Sequence, residues 1–259
     1  MFKNVIVYRI GPQWSATLAQ LDNWTALEEA LPRHAKAQME ASDEVARLRR
    51  ELPWVKITKS YVFDKPTGQA TLADLFDGRS QLFLYHFMFG PDWEEGCTGC
   101  SFLCDHVDGA RQHFEHHDLS FVAVSRGPID KLEAYRKRMG WKFRWVSAAH
   151  TDFNQDFHVS FPPESVKDGK ITYNFTTQDY SPDCEELPGF SVFYRDAEGQ
   201  IFHTYSSFSR GGEALLGAYQ FIDQTPKGRM ENVNGNLMDW VKRHDRYEND
   251  GRATGKECC

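Results

Sequence analysis

The 259-residue sequence has no uninterrupted apolar stretch near the roughly 18–20 residues that a membrane-spanning helix needs. Its opening, Met1-Phe2-Lys3-Asn4-Val5-Ile6-Val7-Tyr8-Arg9-Ile10, is too short and too soon interrupted for a secretory signal, and reads as a strand. Positive charge is also scarce: 30 Lys and Arg stand against 37 Asp and Glu, a formal net charge of -7. An acidic chain repels phosphate backbones, so neither nucleic acid nor an anionic membrane is the expected partner. With no export signal in view, the reducing cytoplasm is the expected compartment, and stable structural disulfides are rare there. The six cysteines therefore read as reactive, metal-bound or simply buried. Internal repeats and low-complexity segments are absent as well. Hydrophobic residues at 41% and aromatics at 14% suffice for a sizeable core.

Three regions follow from the patterning. Residues 1–53 form an appendage, in which Ala41, Val45, Leu48 and Leu52 repeat at helical spacing until Pro53 stops the helix. Its high charge fits a helix lying on a surface or against a partner. Residues 54–224 read as an α/β domain with a central sheet of mixed direction flanked by helices. Strand character runs over Val55–Phe63, and the nearly continuous apolar run Gln81–Phe89 suits a strand buried on both faces. A helical stripe of Leu103, Val107, Ala110 and Phe114 follows, then a strand at Leu119–Ser125 and a helix opened by Pro128. Further strands are expected at Trp141–Ser147, Phe190–Arg195 and Gln200–Ser206, with a closing helix at Ala214–Ile222. Residues 225–259 read as a polar tail with one short helix around Leu237–His244.

The chemistry concentrates at Cys97-Thr98-Gly99-Cys100, directly after the buried strand and at the mouth of a helix. Unpaired amides and the helix dipole there stabilise a thiolate, the reactive form in disulfide exchange. Two intervening residues leave Cys100 close enough to attack a mixed disulfide formed on Cys97. Cys97 is then the nucleophile and Cys100 the resolving thiol. The acidic run Asp92, Glu94 and Glu95 opposes the dipole, which predicts a Cys97 less acidic than the thiols of strongly oxidising relatives, and a reducing couple. Burial and metal binding remain open for the same residues. A metal site would add Cys104 and either His86 or His106, but this spacing matches no trusted zinc pattern and no second CxxC follows. Ser101 after Cys100 excludes the signature of attached haem. Cys104, one helical turn on, reads as core filling.

A second constellation is Glu185-Glu186-Leu187-Pro188-Gly189-Phe190, entering a strand. Proline there loses no ladder bond and can sit in the cis form. In a thioredoxin-like sheet this loop faces the dithiol, so a cis Pro188 within reach of Cys97 is expected to present a ledge to a substrate. His113, His116 and His117 complement a helix end, Trp93 and Trp141 read as packing, and Cys258 and Cys259 as an incidental tail.

Taken together, Tyr85-His86-Phe87-Met88-Phe89-Gly90-Pro91-Asp92-Trp93, Gly96-Cys97-Thr98-Gly99-Cys100-Ser101-Phe102, Asp152-Phe153-Asn154 and Phe202-His203-Thr204-Tyr205-Ser206 resemble the bacterial thioredoxin-like family catalogued as domain of unknown function 899. The resemblance spans Leu52 to Tyr247. It implies a thioredoxin-like fold of peroxiredoxin-type layout, with the family's CxxC at Cys97 and Cys100. Cys104 and the stretch Met1 to about Trp24 depart from the family pattern. The expected function is thiol–disulfide exchange, with a disulfide-containing protein or small molecule as substrate and an unidentified electron donor. No cofactor is expected. The alternatives are a thiol peroxidase, or a non-enzymatic copper- or zinc-binding module.

Overall fold

The computed structural model describes residues 18–235 and 237–248. Chain contacts divide it into two compact units, Met1–Leu52 and Pro53–Cys259. The strand expected in the first ten residues, and the Cys258–Cys259 pair, lie outside the described residues. Among the described residues no helix is long and apolar enough to cross a membrane.

In the first unit, helix α1 spans Leu18–Arg50, far longer than its Ala41-to-Leu52 stripe suggests. It runs through Pro32, which lacks an amide to donate, and ends with Arg47, Arg49 and Arg50 beside its last carbonyls. Leu27, Leu31, Met39, Val45 and Leu48 are exposed along it.

The second unit is built on an eight-stranded sheet ordered β1-β10-β9-β4-β5-β6-β2-β3. The expected strand at 55–63 is split. Its start is β1 (Val55–Lys56), paired with β10 (Ile201–Phe208), whereas its end enters β2 (Val62–Lys65), one strand in from the opposite edge. There β2 pairs with both β3 (Gly68–Thr71) and β6 (Arg144–Ser147). At the centre, β4 (Gln81–His86) runs parallel to β5 (Leu119–Ser125) and antiparallel to β9 (Gly189–Arg195). The order β10-β9-β4-β5, with helices joining the parallel pair, is a thioredoxin-like arrangement. A separate hairpin, β7 (Lys170–Tyr173) with β8 (Thr176–Asp179), was not apparent from the sequence patterning.

Alternation along β4 divides the core. Leu82 and Leu84 pack on one face with Phe63, Val122 and Phe193, while Tyr85 pairs with Phe87, Trp145 and the dithiol on the other. The helical stripe after the dithiol is two helices, α2 (Thr98–Cys104) and α3 (Val107–His116). The break falls at Asp105 and His106, and His106 is held from both sides: its Nδ1 meets the Phe102 carbonyl at 2.7 Å, and its Nε2 accepts the Ala218 amide at 3.0 Å. Ala110 accordingly turns out to solvent. Helix α4 (Ile129–Arg138) follows β5, with Pro128 as its N-cap, and α5 (Phe153–Asp156) follows β6. The expected closing helix is a 3-10 turn, Ser209–Leu215, followed by α6 (Gly217–Ile222). In the described part of the segment after residue 225, apolar side chains pack inward as well. Val241 is buried and Met238 and Trp240 pack on the dithiol-side core, while among the described residues of this segment the only regular element is the 3-10 turn His244–Arg246, not a helix over 237–244.

Candidate functional site

The loop from β4 to α2 brings the dithiol back over the end of its own strand. The Cys97 amide donates to the Met88 carbonyl at 3.1 Å, and the Met88 amide donates to the Cys100 sulfur at 3.4 Å. Gly96 permits this approach: a Cβ there would sit 2.5 Å from the Phe87 ring and 3.0 Å from Tyr135. Arg243 grips the loop from the far end of the sequence, donating to the Gly96 carbonyl at 2.6 Å and to the Tyr135 hydroxyl at 2.9 Å. The Ser101 hydroxyl meets the same Tyr135 oxygen at 2.9 Å and also donates to the Cys97 carbonyl at 2.8 Å.

Cys97 is the N-cap of α2 and half-buried; Cys100 is buried behind it at 1% exposure. Their chemistry differs accordingly. A hydrogen bond shared with Cys100 lowers the Cys97 pKa to about 6; burial opposes this, while the amides of Cys100 and Gly99 and the charge of Arg243 support it. Burial, and then the neighbouring Cys97 sulfur, push Cys100 well up; the Tyr85 hydroxyl hydrogen-bonded to it works the other way. In sequence, the acidic run Asp92, Glu94 and Glu95 stood against the helix dipole at Cys97. Two of its three carboxylates are paired: Glu94 with Lys131 at 3.0 Å, and Glu95 with Arg138, with Arg243 at 3.1 Å and with Arg246 at 2.8 Å.

Pro188 lines one cavity of about 360 Å³ together with Cys97, Cys100 and Tyr85. Its peptide bond is trans, not cis as the sequence reading expected. The trans form is the default for X–Pro bonds, and the strand entry is already tied down around it. The Leu187 amide donates to the Val159 carbonyl at 2.9 Å, and the Tyr173 hydroxyl of the β7–β8 hairpin donates to the Pro188 carbonyl at 2.7 Å.

The other candidates separate from the site. Cys104 is fully buried and its thiol is pushed up by that burial. His86 points to the opposite face of the sheet, where its Nε2 meets the Ser191 hydroxyl at 2.9 Å. His106 spends both ring nitrogens on backbone partners, and among the described residues no group of three or more His, Cys, Asp or Glu is placed to hold a metal ion. His113 and His116 lie in the last turn of α3 with His117 as its C-cap, and Trp141 is buried in the core. Two contributors escaped the sequence reading. Tyr85 was signalled only by its parity on β4; Arg243 carried no local signal, since it acts on a loop 147 residues away.

Among curated proteins nothing matches the chain. Solved structures to which it is similar include a peroxidoxin, BcpB, from Mycobacterium tuberculosis, at 15% identity and a TM-score of 0.41, covering 64% of this chain and 96% of that one. Peroxiredoxin Q from Xanthomonas campestris is similar at 14% identity and a TM-score of 0.40, over 62% and 90% of the two chains. The mitochondrial 2-Cys peroxiredoxin from Plasmodium falciparum gives 13% and 0.37, over 65% and 93%. A family model described as bacterial protein of unknown function matches residues 14–247, nearly the whole chain, and so takes in residues 14–24, which the sequence reading had set outside the family pattern. The chain belongs to this family, DUF899.

Proposed function

We propose that the protein is a thiol–disulfide oxidoreductase. The observation that carries this is the asymmetry of the pair: a half-buried, acidified Cys97 opening into a cavity, with a buried, protonated Cys100 behind it. The Cys97 thiolate attacks one sulfur of a substrate disulfide, forming a mixed disulfide and releasing one thiolate, which takes up a proton. Cys100 then loses its proton and attacks the Cys97 sulfur. The second substrate thiol leaves, and two electrons have passed from the dithiol to the substrate. Turnover requires an external dithiol to reduce the Cys97–Cys100 bond. Arg243, Tyr135 and Ser101 act as positioning residues, since their hydrogen bonds hold the loop carrying Cys97, and the charge of Arg243 also favours the thiolate.

Mixed-disulfide trapping tests the assignment. Cys100→Ser accumulates an adduct on Cys97, and Cys97→Ser forms none. Equal trapping by both variants, or trapping by Cys97→Ser alone, contradicts it.

A further inference from the structure

The walls of the cavity beside Cys97 say what kind of disulfide it admits, given the exchange chemistry proposed above. At about 360 Å³ the space matches a small organic molecule. Tyr85, Phe190, Phe208, Leu216, Leu237 and Met238 supply apolar wall around the two sulfurs. The lining also contains Arg210 and Glu213, but these neutralise each other at 2.7 Å, and Glu213 meets Arg229 at 2.7 Å as well. Neither offers an uncompensated charge to a substrate carboxylate or ammonium, so a charged substrate would lose hydration without gaining a partner. Access for a macromolecule is restricted too. Met238 overhangs the first turn of α2 so closely that a Cβ on Gly99 would lie 3.3 Å from its sulfur, and Gly99 is itself a cavity residue beside Cys97.

We infer that the substrate is a small, uncharged organic disulfide with apolar substituents, rather than glutathione disulfide or a protein disulfide. The cavity desolvates the two substituents while Cys97 takes the nearer sulfur, giving Cys97–S–S–R and a free thiol RSH. Cys100 then releases the second RSH and closes the Cys97–Cys100 bond. The apolar wall selects the substituents, and the sulfur chemistry is indifferent to them.

Two nearly isosteric probes separate wall from chemistry: dipropyl disulfide and bis(2-hydroxyethyl) disulfide differ in a methyl against a hydroxyl at each end. Rates of Cys97 adduct formation are measured in Cys100→Ser by mass spectrometry, each divided by that disulfide's rate with free N-acetylcysteine. Thiol loss in the unaltered protein serves as the parallel readout should the variant misfold. The expected result is a preference of about tenfold or more for the dipropyl compound. Glutathione disulfide and oxidised insulin react more slowly still, and Phe208→Ser narrows the preference. A ratio near one, or glutathione disulfide or insulin reacting as fast as the dipropyl compound, overturns the substrate class while leaving exchange intact. No Cys97 adduct from any of the four, with an apolar alkyl hydroperoxide instead oxidising Cys97 to a sulfenic acid, overturns the exchange function and this inference with it.

Discussion

On one face of β4 the polar groups are sealed in; on the other they are left a space. Beneath Phe153 and Phe157, His86 hydrogen-bonds to Ser191, whose hydroxyl meets Ser206 at 2.8 Å, and Ser206 in turn meets His203 at 2.7 Å. Burial wins there: His86 is pushed down to about 3 and stays neutral. One strand position earlier, Tyr85 reaches the dithiol face, where burial loses at Cys97 because a thiol partner, two amides and a guanidinium favour the anion. Desolvation acts on both faces, and the donors around each group decide the outcome.

The comparison can be broken from either side. The largest stability effect is expected on the sealed face. His86→Ala leaves a cavity and takes away one of the two partners of the Ser191 hydroxyl, at a cost of about 2–4 kcal/mol in chemical denaturation, without changing the alkylation rate of Cys97. The same site gives a pH signature. Unfolded histidine binds a proton near pH 6.5 but folded His86 does so only near 3, so its contribution is intact above pH 6.5 and is lost as pH falls toward 3. His86→Ala flattens that limb of the stability curve, and an unchanged acid limb would show that the His86 face does not set it.

A smaller effect belongs to the open face. Arg243→Ala removes both the grip on the Gly96 carbonyl and a charge favouring the thiolate. Alkylation of Cys97 at pH 6 is expected to slow about three- to tenfold, with the half-maximum moving to higher pH. An unmoved half-maximum would assign Arg243 to holding the loop alone. The smallest effect is Cys104→Ala. This thiol is fully buried and faces core, so its loss costs about 1 kcal/mol and leaves adduct formation at Cys97 unaltered.

What could be read in advance follows the same division. The run Gln81–Phe89, the turn after it and the placement of Cys97 before a helix are local patterns, and they yielded the central strand and the dithiol's position. The hairpin strands β9 and β10 were equally local. The errors arose where distant residues decide. Asp92, Glu94 and Glu95 look like an opposing field in sequence, yet Lys131, Arg138, Arg243 and Arg246 fold back onto Glu94 and Glu95. The helix after the dithiol breaks at His106 because Ala218 binds its ring from another element. Residues 55–63 were one stretch of strand character but serve opposite sides of the sheet, which no local periodicity encodes. Pro188 stands at a strand entry and lines the same cavity as the sulfurs, but its bond is trans, which removes the cis-proline ledge expected from the sequence.

The central claim is that Cys97 is a thiolate-forming nucleophile and Cys100 is not. Its most direct test is the iodoacetamide alkylation rate of the reduced protein between pH 4 and 10, with each cysteine resolved by peptide mass spectrometry. Cys97 should carry the fast modification with a half-maximum near pH 6, while Cys100 and Cys104 stay protected throughout. A Cys97 half-maximum near the ordinary thiol value of about 8.5, or Cys100 reacting as fast as Cys97, would contradict the account.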